Sequence, residues 1–488
     1  MNTSQPNLIL IMADQMRGDC LGIEGSHPVE TPYLDFLAAG GTRFRHAYTA
    51  VPSCLPARAS LITGMDQWHA GLLGMGSGQG TIPNDFPNTL PRVLRDAGYQ
   101  TQLIGKGHFS PARAMMGFEG IELDESGRHE RQDYGGKVDD YRAWFRRHAP
   151  EGVTPVDHGV PANSWMARPW HTAEHLHPSA WTASRAIEFL DRRDTTRPFY
   201  LNLSFARPHS PYVPPEHYFR LYEGRTQPAA IGDWVDETKI ADEGHDPNAW
   251  RTRLNPRQVD RGRAGYYGEI SFLDTQIGRV LTHLSRIHPD TLANTWILFV
   301  ADHGDMIGDH HLWRKTYAYE GSARIPMIVK APSGLKLAQR RVATEVSELR
   351  DIMPTLLEAA GLPIPATVTG RSLLGPIEAE QNDWRDYLHG EHCTCYSPEQ
   401  EMQYVTDGRR KFIWLPRVGT QQFFDLEADP QELRNLINDP ARAEEITLWR
   451  NRLIGELRAR EAGWCEDGTL SCRPGPLHSP YRSVRYQG

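Results

Sequence analysis

Cysteine is scarce, at six residues in a chain of 488. That is too few for a disulfide framework. Cys393 and Cys395 are too close for a relaxed bridge, and Cys465 and Cys472 read as two thiols or one pair, reduced thiols being the expectation throughout. Long apolar runs are also missing. The run from Asn7 to Ala13 has no basic segment before it and is too short for a signal core or a membrane span. It ends in Asp14 and Gln15 instead of small residues. A cytoplasmic protein with no membrane partner is expected. Excess basic charge is absent too: 53 Lys and Arg against 61 Asp and Glu leave a net charge of −8. A chain without a basic face is a poor partner for nucleic acid. There is no fixed-period repeat and no low-complexity tract, which excludes collagen-like and largely disordered architectures.

What the chain does have is 39% apolar and 9% aromatic residues, enough for a substantial core. A single core stops growing near this length, so two domains are predicted. Short β-branched or Leu-rich runs predict strands at Asn7–Ala13, Gln100–Ile104, Phe199–Phe205, Thr295–Ala301 and Pro326–Lys330. Helices are predicted at Tyr33–Ala39, Leu90–Ala97, Ala180–Asp191, about Gly265–Ile287 and Asp351–Ala360. Gly40 and Gly41, Gly98 and Gly361 follow three of them and predict left-handed caps. The alternation reads as an α/β fold, a large, mostly parallel sheet sandwiched by helices. Residues 107–178 and about 212–263 are irregular, as lids and binding loops are. After about Ala379 the pattern changes: Tyr404–Thr406 and Lys411–Trp414 read as antiparallel strands around Asp407-Gly408, followed by a helix at about Ala443–Arg460. The expected division is a catalytic domain at 1–378 and a smaller α+β domain at 379–488. The 474–488 tail is a candidate to cross a subunit interface, so a homo-oligomer is an expectation.

One regularity dominates. Four predicted strands run directly into ionisable or amide groups: Asp14 and Gln15, Lys106 and His108, Arg207 and His209, Asp302 and His303. Ligands in open α/β sheets bind beyond the carboxyl ends of the strands. Any one of these residues alone reads as a cap or turn residue. Together, as parallel neighbours, they converge on one crevice with the donors of a divalent-cation site and of acid–base chemistry.

A fifth element is the run from Cys54 to Gly64, Cys-Leu-Pro-Ala-Arg-Ala-Ser-Leu-Ile-Thr-Gly. Pro56 suits the start of a helix and Gly64 its end. Cys54 then sits at a helix N-terminus, which favours an anion, and Arg58 adds a fork of donors.

This segment resembles the signature of the formylglycine-dependent sulfatases of the alkaline-phosphatase superfamily. The resemblance extends over Ala13-Asp14-Gln15, Gly105 to His108, Arg207-Pro208-His209, Asp302 to Asp305 and on to Lys315, Glu320 to Pro326, and Phe424 to Leu436. It implies an alkaline-phosphatase-like fold and sulfate-monoester hydrolysis. It also implies that a separate formylglycine-generating enzyme oxidises Cys54, whose aldehyde hydrate is the nucleophile. A gem-diol attacks through one oxygen and later expels sulfate by collapse of the other, where a serine ester would need water to attack at sulfur. Asp14, Gln15, Asp302 and His303, with an oxygen on modified Cys54, look like the ligands of one divalent metal. Arg58 and Lys106 look like the hold on the diol and sulfate, and Lys315 touches the sulfate and bridging oxygen. His209 is the candidate general acid and His108 the candidate base.

Many sulfatases carry a second Asp at the position of Gln15 and Asn at that of His303. The change removes charge and adds a softer donor, so Ca²⁺ is expected, with Mn²⁺ or Mg²⁺ as alternatives. The same Asp-Gln and Asp-His pattern occurs in phosphonate monoester hydrolases, which keeps that activity as the alternative. Lys106 and His108 point back to sulfatases. The Asp302-to-Asp305 block, with the later Gly308-Asp309-His310-His311-Leu312-Trp313, is most like choline sulfatases and their neighbours. Tyr134, Tyr141, Trp144, Trp165 and Trp170 are candidates for an aromatic cage or plain loop filling. Nearby Arg and His equally suit an acidic, sulfated saccharide.

Overall fold

The first apolar run forms β1 (Asn7–Asp14), buried along its length from Leu8 onward. Continuous burial in place of alternation is what helices on both faces of a parallel sheet produce. The computed structural model describes residues 5–76, 79–125, 139–242, 244–335, 341–378, 383–460, 463–466, 468–473, 475 and 478–481. Within it β1 joins β2 (Thr42–Phe44), β3 (Gln100–Gly105), β4 (Gly120–Leu123), β5 (Phe199–Pro208), β6 (Thr295–Ala301), β7 (Met327–Lys330) and β8 (Val342–Ala343). They form an eight-stranded sheet in the order β4-β3-β5-β1-β6-β7-β2-β8. Strands β1, β3, β4, β5 and β6 are parallel, and β7 runs antiparallel to both β6 and β2. The sheet is therefore mixed but mostly parallel, as expected.

Register decides where the polar residues emerge. Ala13 lies level with Phe205 on one side and Ala301 on the other, so Asp14 and Asp302 leave the sheet as neighbours. Gly105 lies level with Ser204. It adopts φ +104, and a Cβ there would overlap the Ser204 carbonyl oxygen. Only glycine allows β3 to turn away at this point and carry Lys106 to the rim.

The helices are α1 (Pro32–Ala39), α2 (Cys54–Thr63), α3 (Leu90–Asp96), α4 (Pro178–Arg192), α5 (Pro256–Ile287) and α6 (Ile352–Ala359). Helix α5 corrects the expected boundary. It starts at Pro256 behind a capping box of Asn255 and Gln258, so the irregular stretch ends before 263, and Glu216–Tyr222 within it is also helical. The sequence from 256 to 264 is polar, so hydrophobic periodicity does not mark this first part of the helix. Residues 107–178 likewise hold β4 and a helix at Asp140–His148. Left-handed glycines close α2, α3 and α6 at Gly64, Gly98 and Gly361. Gly40 does not: its φ is −90, and Gly41 is instead needed for close approach to the Val329 carbonyl. The other end of α1 is capped at long range. Thr31 makes no side-chain cap bond, and Asp274 of α5 accepts from Tyr33 N (3.1 Å) and Leu34 N (2.8 Å).

A second, antiparallel sheet contains β9 (Leu388–His392), β10 (Met402–Thr406), β11 (Arg410–Leu415) and β12 (Thr420–Asp425) in sequence order. It packs Phe412, Trp414 and Phe423 with Trp449 and Leu453 of α7 (Ala443–Arg458). Its other face joins Tyr404, Ile413 and Phe424 to Tyr48 and Tyr319. Backbone bonds from Glu391 N to Ala50 O (2.8 Å) and from Cys393 N to Leu73 O (2.9 Å) fasten it to both sides of α2. The described part of the tail returns to its own chain: Ser479 Oγ donates to Trp68 O, and Tyr481 packs on His69. All six cysteines are free. Among the described residues no helix is long and apolar enough to cross a membrane.

Buried Lys411 of β11 ties the second sheet to the segment that precedes β7, donating to Glu320 (2.8 Å) and Ala318 O (2.7 Å), and also to Glu432 (2.9 Å). Burial pushes the Glu432 carboxyl up to about 7, against the pull of Lys411 and with help from Glu320. The folded chain therefore holds a proton that the unfolded chain releases near 4.5. This contribution to stability is full below the unfolded pKa and is lost as pH rises toward 7. Glu432→Gln keeps an acceptor for Lys411 and removes the titration. It should reduce the fall in Tm between about pH 5 and pH 7.5 by roughly 1–3 °C, read by calorimetry against the unaltered protein.

Candidate active site

The geometry centres on the thiol of Cys54. Helix α2 begins at this residue after Ser53, so the thiol lies at the positive end of the helix. Its Sγ is 3.1 Å from His303 Nε2, 3.3 Å from Lys315 Nζ, 3.5 Å from Lys106 Nζ and 3.7 Å from Asp14 Oδ1. Asp14, Cys54, Asp302 and His303 are all inaccessible to solvent, and each offers a ligand atom within 4.8 Å of the others.

Charge balance explains the rest of the shell. Arg58 donates through Nε to Asp302 (3.0 Å) and through Nη2 to Asp14 (3.3 Å). Its Nη1 meets Lys106 O (2.7 Å) and Ser204 Oγ (3.0 Å). Lys106 Nζ rests on Asp14. Burial alone would raise the Asp302 carboxyl, yet the Arg58 guanidinium, the Lys106 ammonium and the Gln15 N–H hold it well below the usual range. Burial pushes His303 down to about 3, against the pull of Asp302, so its imidazole is neutral. Its Nδ1–H donates to Gly304 O (2.9 Å), leaving the Nε2 lone pair facing the pocket. A ligating imidazole needs this arrangement. Two carboxylates, one neutral imidazole and one amide oxygen make a hard-to-borderline donor set that fits a divalent cation.

Gln15 owes its orientation to Asp305, the last residue of the Asp302-to-Asp305 block, and to residues outside every motif. Its Nε2 donates to Asp305, so Oε1 turns inward to accept from Lys315 Nζ (2.8 Å). Asp305 is fixed in turn by Tyr212 Oη (2.5 Å), Ile307 N (2.9 Å) and Arg314 N (2.8 Å). Gln15 has φ +71, a conformation costly for a side chain with a Cβ. Asp302 Oδ1, accepting from Gln15 N (3.0 Å), and Tyr266 Oη, donating to Gln15 O (2.7 Å), hold it there.

Lys315 Nζ also donates to His209 Nε2 (2.8 Å), while His209 Nδ1 donates to Ser210 O (2.6 Å). His108, at φ +62, is buried where Glu125 accepts from both Gly107 N (2.9 Å) and His108 N (2.8 Å). The structure thus brings Asp14, Gln15, Cys54, Arg58, Lys106, His209, Asp302, His303 and Lys315 into one contact network, with His108 placed beside Lys106 by the backbone. Arg58 spends its donors on carboxylates, a carbonyl and Ser204.

Ser53, Ser204, Tyr212, Tyr266, Glu125 and His392 stand outside every motif read in the sequence, and Asp305 stands inside one without a role assigned to it. His392 Nε2 is 2.8 Å from Ser53 Oγ, a link from β9 to the residue before Cys54. Of the aromatic-cage candidates, Tyr134 lies outside the described residues. Tyr141 and Trp170 pack with Phe145 and Trp181 in a core, and Trp165 is buried elsewhere. A cavity of about 80 Å³ beside them is also lined by Asp124, His158 and Arg207.

The Sulfatase family model matches residues 6–362, and the C-terminal model of N-sulphoglucosamine sulphohydrolase matches 308–459. The chain is 44% identical over 475 residues to an arylsulfatase of Clostridium perfringens (strain 13 / Type A), covering 96% of this chain and 97% of the relative. It is 29% identical to a choline-sulfatase of Rhizobium meliloti (strain 1021), covering 90% and 84%. Phosphonate monoester hydrolase of Agrobacterium radiobacter superposes with a TM-score of 0.74 at 25% identity, covering 97% and 99%. The chain therefore belongs to the sulfatase family of the alkaline-phosphatase superfamily and is a sulfuric ester hydrolase that cleaves sulfate monoesters.

Proposed function

We propose that the enzyme works through Cys54 converted to formylglycine, with one divalent cation, Ca²⁺, held by Asp14, Gln15, Asp302 and His303 and by the modified side chain. The observation that carries this reading is the position of Cys54, fully buried at a helix start and within reach of two lysines, a neutral imidazole and a carboxylate. A cation held by Asp14, Gln15, Asp302 and His303 would supply Lewis-acid withdrawal of charge from the sulfate oxygens, and a hydrated aldehyde at position 54 would supply the attacking oxygen. Three cationic side chains against two carboxylates suit an anionic tetrahedral ester. Lys106 and Arg58 hold the anion's surroundings, Arg58 by keeping the two carboxylates in place. Lys315 lies against the ester and donates to His209 Nε2, so the lysine–imidazole pair shares the proton that passes to the leaving oxygen, with His209 as the group that delivers it. His108 takes a proton in the step that frees sulfate.

Burial of Cys54 supports modification by a formylglycine-generating enzyme before the chain closes around it. Six free thiols support a reducing, cytoplasmic setting. Small sulfate esters and short sulfated saccharides fit that setting as substrates. The neighbouring cavity sets Arg142, His158 and Arg207 against the single carboxylate of Asp124 among its lining residues, so a sulfated saccharide is preferred to the quaternary ammonium of choline sulfate.

Mass spectrometry of active enzyme should find the Cys54 peptide with its CH₂SH group replaced by CHO; a wholly unmodified thiol would remove the nucleophile from this reading. His209→Ala should lower kcat/KM for alkyl sulfates about 10²–10⁴-fold. The loss should be far smaller for p-nitrophenyl sulfate, whose leaving phenolate needs no proton, and equal losses would count against the general-acid role. Asp305→Asn should let the Gln15 amide turn and raise the Ca²⁺ concentration needed to reactivate chelator-treated enzyme about 10–100-fold.

A further inference from the structure

The ends of two helices meet at the rim of the sheet opposite the reaction centre. Helix α4 stops at Arg192 and leads into β5 at Phe199, and α5 stops at Ile287 and leads into β6 at Thr295. Both junctions lie at the amino ends of these strands, whereas the reaction centre lies beyond their carboxyl ends. The intervening strands separate the two places by roughly 20–30 Å.

At this junction Asp191 of α4 faces His283 of α5 and His288 just after it. Both imidazoles address one oxygen: His283 Nε2 is 2.7 Å and His288 Nε2 2.9 Å from Asp191 Oδ1. The ligand atoms of all three residues lie within 4.8 Å of one another. The rings are inclined at 66° with centroids 5.6 Å apart, so they converge on a shared point without stacking. The side chains are 20%, 22% and 44% exposed for His283, His288 and Asp191, open enough for an ion to enter and keep a water.

We propose that Asp191, His283 and His288 form an accessory site for a borderline divalent transition ion of the Zn²⁺ type. Two imidazole nitrogens and one carboxylate oxygen, with a fourth place for water, make a tetrahedral set that Zn²⁺ favours and Ca²⁺ does not. The surrounding field agrees. Asp191 lies in the last turn of α4 and His288 caps the end of α5, so two negative helix ends face the site, where a cation is favoured. The neighbouring guanidinium of Arg193 is turned to Leu190 O and Thr291 Oγ1. Binding replaces two N–H···O bonds with ligand bonds: each neutral imidazole carries its proton on Nδ1 instead of Nε2, and any protonated ring releases one proton to solvent. The ion ties α4 to α5 and so fixes the two crossovers that feed β5 and β6.

The test uses tag-free full-length enzyme saturated with Ca²⁺ and titrated calorimetrically with ZnCl₂. The unaltered enzyme should take up one equivalent of Zn²⁺ more than the variant His283→Gln/His288→Gln. Its thermal midpoint should rise by about 2–3 °C at Zn²⁺ roughly 100-fold above Kd, with no rise in the variant. Sulfatase activity without zinc should be the same in both. Asp191→Asn, which keeps an acceptor for the imidazoles, should bind Zn²⁺ at least about tenfold more weakly and covers the case in which the double variant fails to fold. Equal zinc uptake in all three proteins, or no uptake by the unaltered enzyme, would overturn the proposal.

Discussion

Two buried carboxylates side by side repel each other, and here the backbone gives them no freedom to separate. The residue-for-residue pairing of β1 with β6 sends Asp14 and Asp302 out side by side, with ligand atoms within 4.8 Å. At that range their repulsion is about 3–4 kcal/mol for an effective dielectric near 20. The pocket answers with Arg58, Lys106 and Lys315, and with a helix whose positive end is Cys54. The same crowding of opposite charge that keeps Asp302 ionised also makes the pocket attractive to an anion that carries its charge on several oxygens. Binding and folding thus draw on a single electrostatic arrangement.

Much of this was legible in the sequence, for a specific reason. Parallel strands buried on both faces are continuous apolar runs, so their ends are sharp, and the polar residues after 13, 104, 206 and 301 stand out. The supporting residues do not. Ser204 lies inside β5, and Asp305 follows a glycine after the ligand pair. Tyr212 and Tyr266 come from a loop and from the middle of α5. Each matters through a hydrogen bond to a residue far away in the chain, which leaves no local pattern. Gln15 looked like a simple donor, yet its usefulness depends on an amide orientation imposed by Asp305.

The misplaced boundaries have equally local causes. The polar first turns of α5 hide its start, which is set by the reciprocal bonds of Asn255 and Gln258. Gly40 looked like a left-handed cap, but α1 ends in right-handed geometry because close packing against β7 falls on Gly41 instead. In the smaller sheet β10 and β11 were recognisable by their apolar alternation and tight turn. The flanking β9 and β12 carry His, Glu, Gln and Thr, because β9 faces polar partners at Gln67, Ser53 and Arg460.

Strand β9 has a bearing on modularity. The strand and the residue after it, Cys393, hydrogen-bond through their backbone to chain on both flanks of the helix that presents Cys54, and His392 reaches the residue preceding that thiol. A terminal sheet attached in this manner is no detachable cassette. Grafting the corresponding piece of a relative would exchange part of the wall behind the nucleophile, so shuffled chimeras of these enzymes inherit their chemistry from both parents at once.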